Sequence, residues 1–363
     1  MFKEKELRNK IINTLRELFT KIKPIEVSTV RSEYSISPNL RADIAFDVSM
    51  GKKKNRKIIV EVKSQGQPRL IRMAVYQLKS IVDTNKAFYG MVAAPFISEA
   101  SRRICRENKI GFIDLAGNCL IQFESVYVTV EGRPNPYPDT RPLKMIFSAK
   151  SSRAIRILLC YPQKQWYVRE LSEKSGISIG LVSKLKERLL EYEYIEVTTN
   201  LKKPKFYVIN PINLLEEWEK TYRFRINRVS DFYSLDNPKS IEDNIAQYCN
   251  KKKITYAFTM TSGADLIAPF LRYNQVFCYI KGSIESIIKD LNLKPVTSGP
   301  NVTIISPFDE GVFDYNQNIQ NKKVVSDIQL YLDLKRYKKR GEEAADFILT
   351  ERIKPLWKQN QCM

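Results

Sequence analysis

Two carboxylates and a lysine in the N-terminal third of the chain are spaced for metal-dependent chemistry. Asp43 stands among apolar neighbours in RADIAFDV, and KIIVEVK carries Glu61-Val62-Lys63 eighteen positions after Asp43. Side chains alternate across a strand, so Glu61 and Lys63 fall on one face. An Asp from one strand and Glu-x-Lys from its neighbour can converge on one point. The two carboxylates would hold Mg²⁺, a hard cation that takes oxygen ligands. Lys63 would orient or activate an attacking water and stabilise charge developing on phosphorus.

Other chemistries lack their residues. The chain has no His, which excludes His-dependent triads and His/Cys zinc sites. Cys105, Cys119, Cys160, Cys249, Cys278 and Cys362 form no CxxC pair and read as free thiols. Glu107-Asn108-Lys109 and Asp333-Leu334-Lys335 also fit [DE]xK, but only Glu61–Lys63 follows an apolar strand with an upstream strand Asp. Thr261-Ser262-Gly263 with Asp265 has the serine and glycine of a nucleotidyltransferase loop in reversed order, and no paired DxD follows. It reads as a structural turn opening a helix. Phe308, Phe313 and Tyr315 read as core residues.

The Asp43, Glu61 and Lys63 pattern resembles the PD-(D/E)xK nuclease superfamily, with Ala42 in place of the leading proline. The resemblance implies a Mg²⁺-dependent DNA endonuclease with Asp43 and Glu61 as metal ligands and Lys63 as catalytic lysine. Gln77, in MAVYQLK, matches a polar position that branches of the superfamily use near the metal. A Glu on the first helix often adds a ligand there, and Glu17 is the best placed one here.

The elements that must position these residues are legible in the apolar spacing. Leu7, Ile11, Leu15, Leu18, Phe19 and Ile22 recur at helical intervals. Strands are predicted at 42–48, 57–62 and 88–93, a helix at 68–84 between the last two, another helix at 98–109, and short strands at 111–114, 118–123 and 126–131. This mixture predicts an α/β domain over 1–135. Residues 136–149 read as a proline-rich linker.

Residues 150–212 read as a winged helix-turn-helix, a DNA-binding module. A helix over 151–160 carries Ile155, Leu158 and Leu159 on one face. A second, over 167–175, ends at Gly176, and Ser178 caps a third that runs to about 191. The third is the expected recognition helix, presenting Ser178, Ile179, Ser183 and Lys184 to DNA. Strands at 194–198 and 206–209 flank a basic wing tip with Lys202, Lys203 and Lys205, suited to backbone contact.

Residues 213–363 are predicted to form an α+β domain, which makes the whole an α/β multidomain protein. From the winged helix to about residue 358 the chain resembles AbiE-type antitoxins of type IV toxin–antitoxin pairs, most specifically in SDIQLYLDL and RGEEAADF. That resemblance implies a transcriptional regulator with a nucleotidyltransferase-like toxin encoded nearby. Such antitoxins usually start near their winged helix, whereas here about 135 residues precede it.

The formal charge of +20 is unevenly spread: +11 over 1–149, +6 over 150–210 and +3 over 211–363. The positive field on the first two segments suits duplex DNA. The N-terminus is charged and no run of eighteen apolar residues occurs, so a cytoplasmic protein with no membrane partner is expected. A homodimer reading two half-sites is a further expectation. Two functions follow: a winged-helix-directed Mg²⁺ nuclease, or a non-enzymatic regulator or antitoxin.

Overall fold

The computed structural model describes residues 2–22, 25–38, 40–50, 54–137, 146–198, 204–268, 273–337 and 341–359. Contacts divide the chain into two units, one of Met1–Thr140 with Leu190–Glu193 and one of Arg141–Leu189 with Tyr194–Met363.

The first unit is built on a mixed sheet in the order β1-β2-β3-β4-β5-β6-β7. Its strands are β1 (Ile25–Ser37), β2 (Leu40–Met50), β3 (Lys54–Val62), β4 (Phe88–Ala94), β5 (Gly111–Asp114), β6 (Cys119–Phe123) and β7 (Val126–Val130). Pairing is parallel through β3, β4 and β5 and antiparallel elsewhere. Helix α1 (Glu4–Lys21) buries Leu7, Ile11, Leu15 and Phe19 on one face, in a core with Ile44, Phe46, Ile58 and Val60. Helix α2 (Pro68–Thr84) buries Ile71, Ala74, Val75, Leu78 and Ile81, and with α3 (Glu99–Glu107) covers the opposite face over Ala45, Ile59, Val92 and Phe112.

The expected strands and helices of this unit are present within a few residues. Strand β1 was not expected. Its sequence, IEVSTVRSEYSIS, buries only its first residue fully, because β1 is an edge strand and lacks the apolar density of β3 and β4. Strand β2 breaks its alternation midway. Ala42 packs into the α2 core, whereas Ile44, two residues on, packs into the α1 core. A regular strand keeps residues two apart on one face, so the strand changes face at Asp43.

In the second unit α4 (Ala149–Cys160) is capped by Ser148, whose side chain accepts from the Ser151 N–H. Helix α5 (Val168–Ser175) ends at Gly176 in the left-handed region with φ 63°, a conformation glycine adopts without penalty. Ser178 then accepts from the Leu181 N–H as α6 (Ile179–Glu191) begins. A short antiparallel pair follows, β8 (Ile195–Val197) with β9 (Phe206–Val208), and Trp166 bonds β9 through both backbone groups of Phe206. Lys202 and Lys203 lie outside the described residues.

Helix α7 (Pro211–Thr221) leads into a second mixed sheet that includes the central strands β10 (Arg228–Tyr233), β11 (Tyr256–Phe258), β12 (Val276–Ile280) and β14 (Val302–Ser306), with the short β13 (Lys294–Pro295) at one edge beside β10. Phe232, Ile245, Phe258, Cys278 and Ile304 share its core. Phe308 departs from expectation. It is 64% exposed, because it sits in the turn after β14 with only its backbone N–H held, by the Asn227 side chain. Of the cysteines described, Cys105, Cys119, Cys249 and Cys278 are buried and Cys160 is half-buried, all as free thiols. No described helix is long and apolar enough to cross a membrane.

Candidate active site

Strand register brings the two carboxylates together. Strands β2 and β3 pair from Ile44 with Val60 onward, so Asp43 and Glu61 are the next two positions along that ladder. The half-buried Asp43 is anchored by one oxygen, Oδ2, which accepts the Val62 N–H at 2.7 Å. Glu61 is 4% exposed. Burial pushes its carboxyl pKa up, and the neighbouring Asp43 charge pushes the same way, while Lys63 works against both.

Lys63 and Gln77 complete the group. Lys63 Nζ donates to Glu61 Oε2 at 3.1 Å, and Gln77 Nε2 donates to Glu61 Oε1 at 3.0 Å. Gln77 reaches the site from α2, whose apolar stripe fixes which helical face meets the sheet. Asp43, Glu61, Lys63 and Gln77 are therefore gathered from two strands and one helix as the spacing suggested. All three acidic and amide partners offer oxygen, the donor that Mg²⁺ takes. Among the described residues no cluster of three or more acidic or thiol groups could hold a metal ion, so this would be a two-carboxylate site.

The segment after Lys63 is pinned by close backbone approach. Gly66 bridges to Ile97, and its carbonyl accepts from Ser101 Oγ at 2.7 Å. A Cβ at Gly66 would lie 1.9 Å from the Phe96 carbonyl oxygen, so only glycine fits.

Glu17 does not join this group. It is exposed on α1. The residue of α1 that does come near is Arg8, whose pKa the Asp43 charge helps to raise, after its hydrogen bond to Glu33. Nine residues of helix separate Arg8 from Glu17, about 13 Å along the axis. No sequence pattern marks Arg8, because its partner Glu33 lies on the unexpected strand β1.

The other [DE]xK matches are occupied otherwise. Asp333 is fully buried and accepts from Tyr222 at 2.5 Å, Thr259 at 2.6 Å, Gln329 at 2.9 Å and Tyr279 at 3.2 Å. Burial pushes its carboxyl up to about 6. Lys335 pairs with Asp346 instead. Glu107 pairs with Arg103. Ser262 and Gly263 lie buried inside a helix over Met260–Ile267, where Ser262 Oγ accepts the Phe277 N–H. They form no open loop.

On the expected DNA-reading helix, Ser178, Ile179 and Lys184 are exposed and Ser183 is half-buried. Ile179 is 53% exposed at the start of α6. The buried side of α6 is Val182, Leu185 and Leu189. Lys205 is half-buried with its ammonium 5.0 Å from the centre of the Tyr167 ring.

No curated protein matches this chain. Among solved structures it is similar to a repair endonuclease from Pyrococcus abyssi, at 15% identity over 31% of this chain and 47% of that one, with a TM-score of 0.24. EndoMS in its dsDNA2 complex is 13% identical over 28% of this chain and 42% of that one, at a TM-score of 0.21. EndoMS in apo form is 11% identical, over 28% and 44%, also at 0.21. This chain spans less than half the length of each. Residues 207–354 match the family described as transcriptional regulator, AbiEi antitoxin, Type IV TA system. Through that C-terminal segment, residues 207–354, this chain is similar to the AbiEi antitoxins.

Proposed function

We propose that this protein is a Mg²⁺-dependent DNA endonuclease of PD-(D/E)xK type, brought to its substrate by a winged helix. The observation that carries the reading is the convergence of Asp43, Glu61, Lys63 and Gln77 on one point of the sheet. Asp43 and Glu61 would hold the metal, which when bound offsets charge on the reacting phosphate. The Val62 N–H and Gln77 fix the orientation of the two carboxylates. Lys63, half-buried and already tied to Glu61, would position water and stabilise developing negative charge. The helices over 149–191 and the β8–β9 hairpin would serve as the DNA-docking module, with Ser178, Ile179, Ser183 and Lys184 toward the groove and the wing lysines toward the backbone.

Incubation of the purified protein with plasmid and Mg²⁺, beside Asp43→Ala and Lys63→Ala, tests this. Nicking or linearisation by the wild type alone supports it. An intact plasmid, or equal cutting by the variants, removes it.

The family match over residues 207–354 favours a second reading, a transcriptional regulator acting as an antitoxin without catalysis. Its winged helix would bind operator DNA, as a homodimer on paired half-sites, and a nucleotidyltransferase-like toxin would be encoded beside it. Operator binding that persists in EDTA, with no cleavage under Mg²⁺, favours this reading over the first.

A further inference from the structure

Arg8 is a cation beside the candidate site that the arrangement of Asp43, Glu61 and Lys63 leaves unused. Its side chain is only 13% exposed, yet its two partners are open to solvent. Nη2 donates to Glu4 at 3.0 Å and Nη1 to Glu33 at 2.8 Å, and those carboxylates are 82% and 64% exposed. The third guanidinium nitrogen, Nε, is buried and has no partner. A guanidinium fork that takes two carboxylate oxygens also takes two phosphate oxygens.

Glu33 is placed for this by the backbone. Strand β1 pairs Ser32 with Ile44 and Tyr34 with Ala42, so Glu33 stands across from Asp43. Its φ is 55°, in the left-handed region that a glutamate in a strand does not ordinarily adopt. The irregularity falls where β2 changes face at Asp43. Local irregularities of this kind re-aim side chains beside functional sites. Here the result is a glutamate one strand away from Asp43 that holds the arginine of α1, with both of the arginine's carboxylate partners open to water.

We propose that Arg8 is a phosphate ligand of this site, occupied in the DNA-free protein by Glu4 and Glu33 and released to a DNA phosphate when the duplex binds. The position of that phosphate rests on the nuclease reading, but the contact itself does not require cleavage. The Glu33 carboxylate is itself 64% exposed, so water can solvate it when a phosphate takes its place on Arg8. Glu33 then acts as a placeholder that lowers affinity for weak polyanions.

The test is binding of a short labelled duplex to the full chain in EDTA, over a series of NaCl concentrations. Arg8→Gln is expected to weaken binding about tenfold and to reduce the slope of log K against log salt by about one. Glu33→Gln changes an exposed side chain and should strengthen binding about threefold. Opposite signs for the two variants distinguish a phosphate contact from a merely structural arginine. Wild-type affinity and slope in Arg8→Gln, or no gain in Glu33→Gln, overturns the proposal. A parallel reaction with Mg²⁺ separates the two ideas: absence of cleavage by the wild type defeats the nuclease reading while the EDTA series still decides Arg8.

Discussion

Replacing Gly66 with Ala asks whether the segment after Lys63 is held as rigidly as its contacts imply. The added Cβ would stand 1.9 Å from the Phe96 oxygen and 2.9 Å from Ile97 Cα, both backbone atoms that no side-chain rotation can clear. Ordinary contact begins near 3.4 Å, so the two segments must separate by about 1.5 Å. That shift works against the Gly66–Ile97 bridge and the Ser101 hydrogen bond. Overpacking of this kind costs about 1–3 kcal/mol, which for a unit of this size lowers its melting midpoint by roughly 4–10 °C. Lys63 lies three residues upstream, and a displacement of about 1 Å at a reacting group costs about a hundredfold in rate. Calorimetry of the full chain and Mg²⁺-dependent cleavage are the assays. A Gly66→Ala protein with the wild-type midpoint would refute the reasoning about the loop, whatever its activity.

Three further outcomes follow from named contacts. Glu61 has its pKa raised by burial, so folding disfavours its ionised form: the cost is absent below the ordinary glutamate pKa and complete above the raised folded value. Glu61→Gln should therefore raise the midpoint at neutral pH, with a gain that fades on acidification, and should abolish cleavage at every pH; a loss of stability at neutral pH contradicts this. Asp333, pushed up to about 6, makes the second unit lose stability as pH rises from about 4 to 6 and level off above, measured by thermal unfolding; a contribution that grows with pH across that window would count against it. Lys184→Glu alters an exposed position, so it should leave the midpoint within about 0.5 kcal/mol while weakening operator binding at least tenfold in a gel-shift titration; unchanged binding would remove α6 as the reading helix.

Much of this architecture is legible in the chain because burial imposes period. The stripe Leu7, Ile11, Leu15, Phe19 specifies α1, and the apolar run before Glu61 specifies β3. Glycine at 176 and serine at 178 announce the turn between α5 and α6. Strand β1 carries no such signal, since an edge strand with mostly exposed side chains needs no apolar pattern. The face change at Asp43 is equally silent, because it comes from a backbone irregularity and not from residue type. Arg8 follows from both: only the pairing of β1 with β2 shows that Glu33, and the arginine bonded to it, stand beside Asp43. Glu17 was the natural carboxylate to choose on α1 from sequence, but helical rise carries it well past the site.

We propose that Asp43, Glu61 and Lys63 cut DNA with Mg²⁺. The most direct test is a plasmid time course with Mg²⁺ for the wild type, Asp43→Ala and Lys63→Ala, each checked by melting midpoint for retention of fold. Nicked or linear product is expected from the wild type, none on addition of EDTA, and a loss of at least a hundredfold in both variants. Folded wild-type protein that leaves the plasmid supercoiled, or variants that cut at its rate, would contradict it.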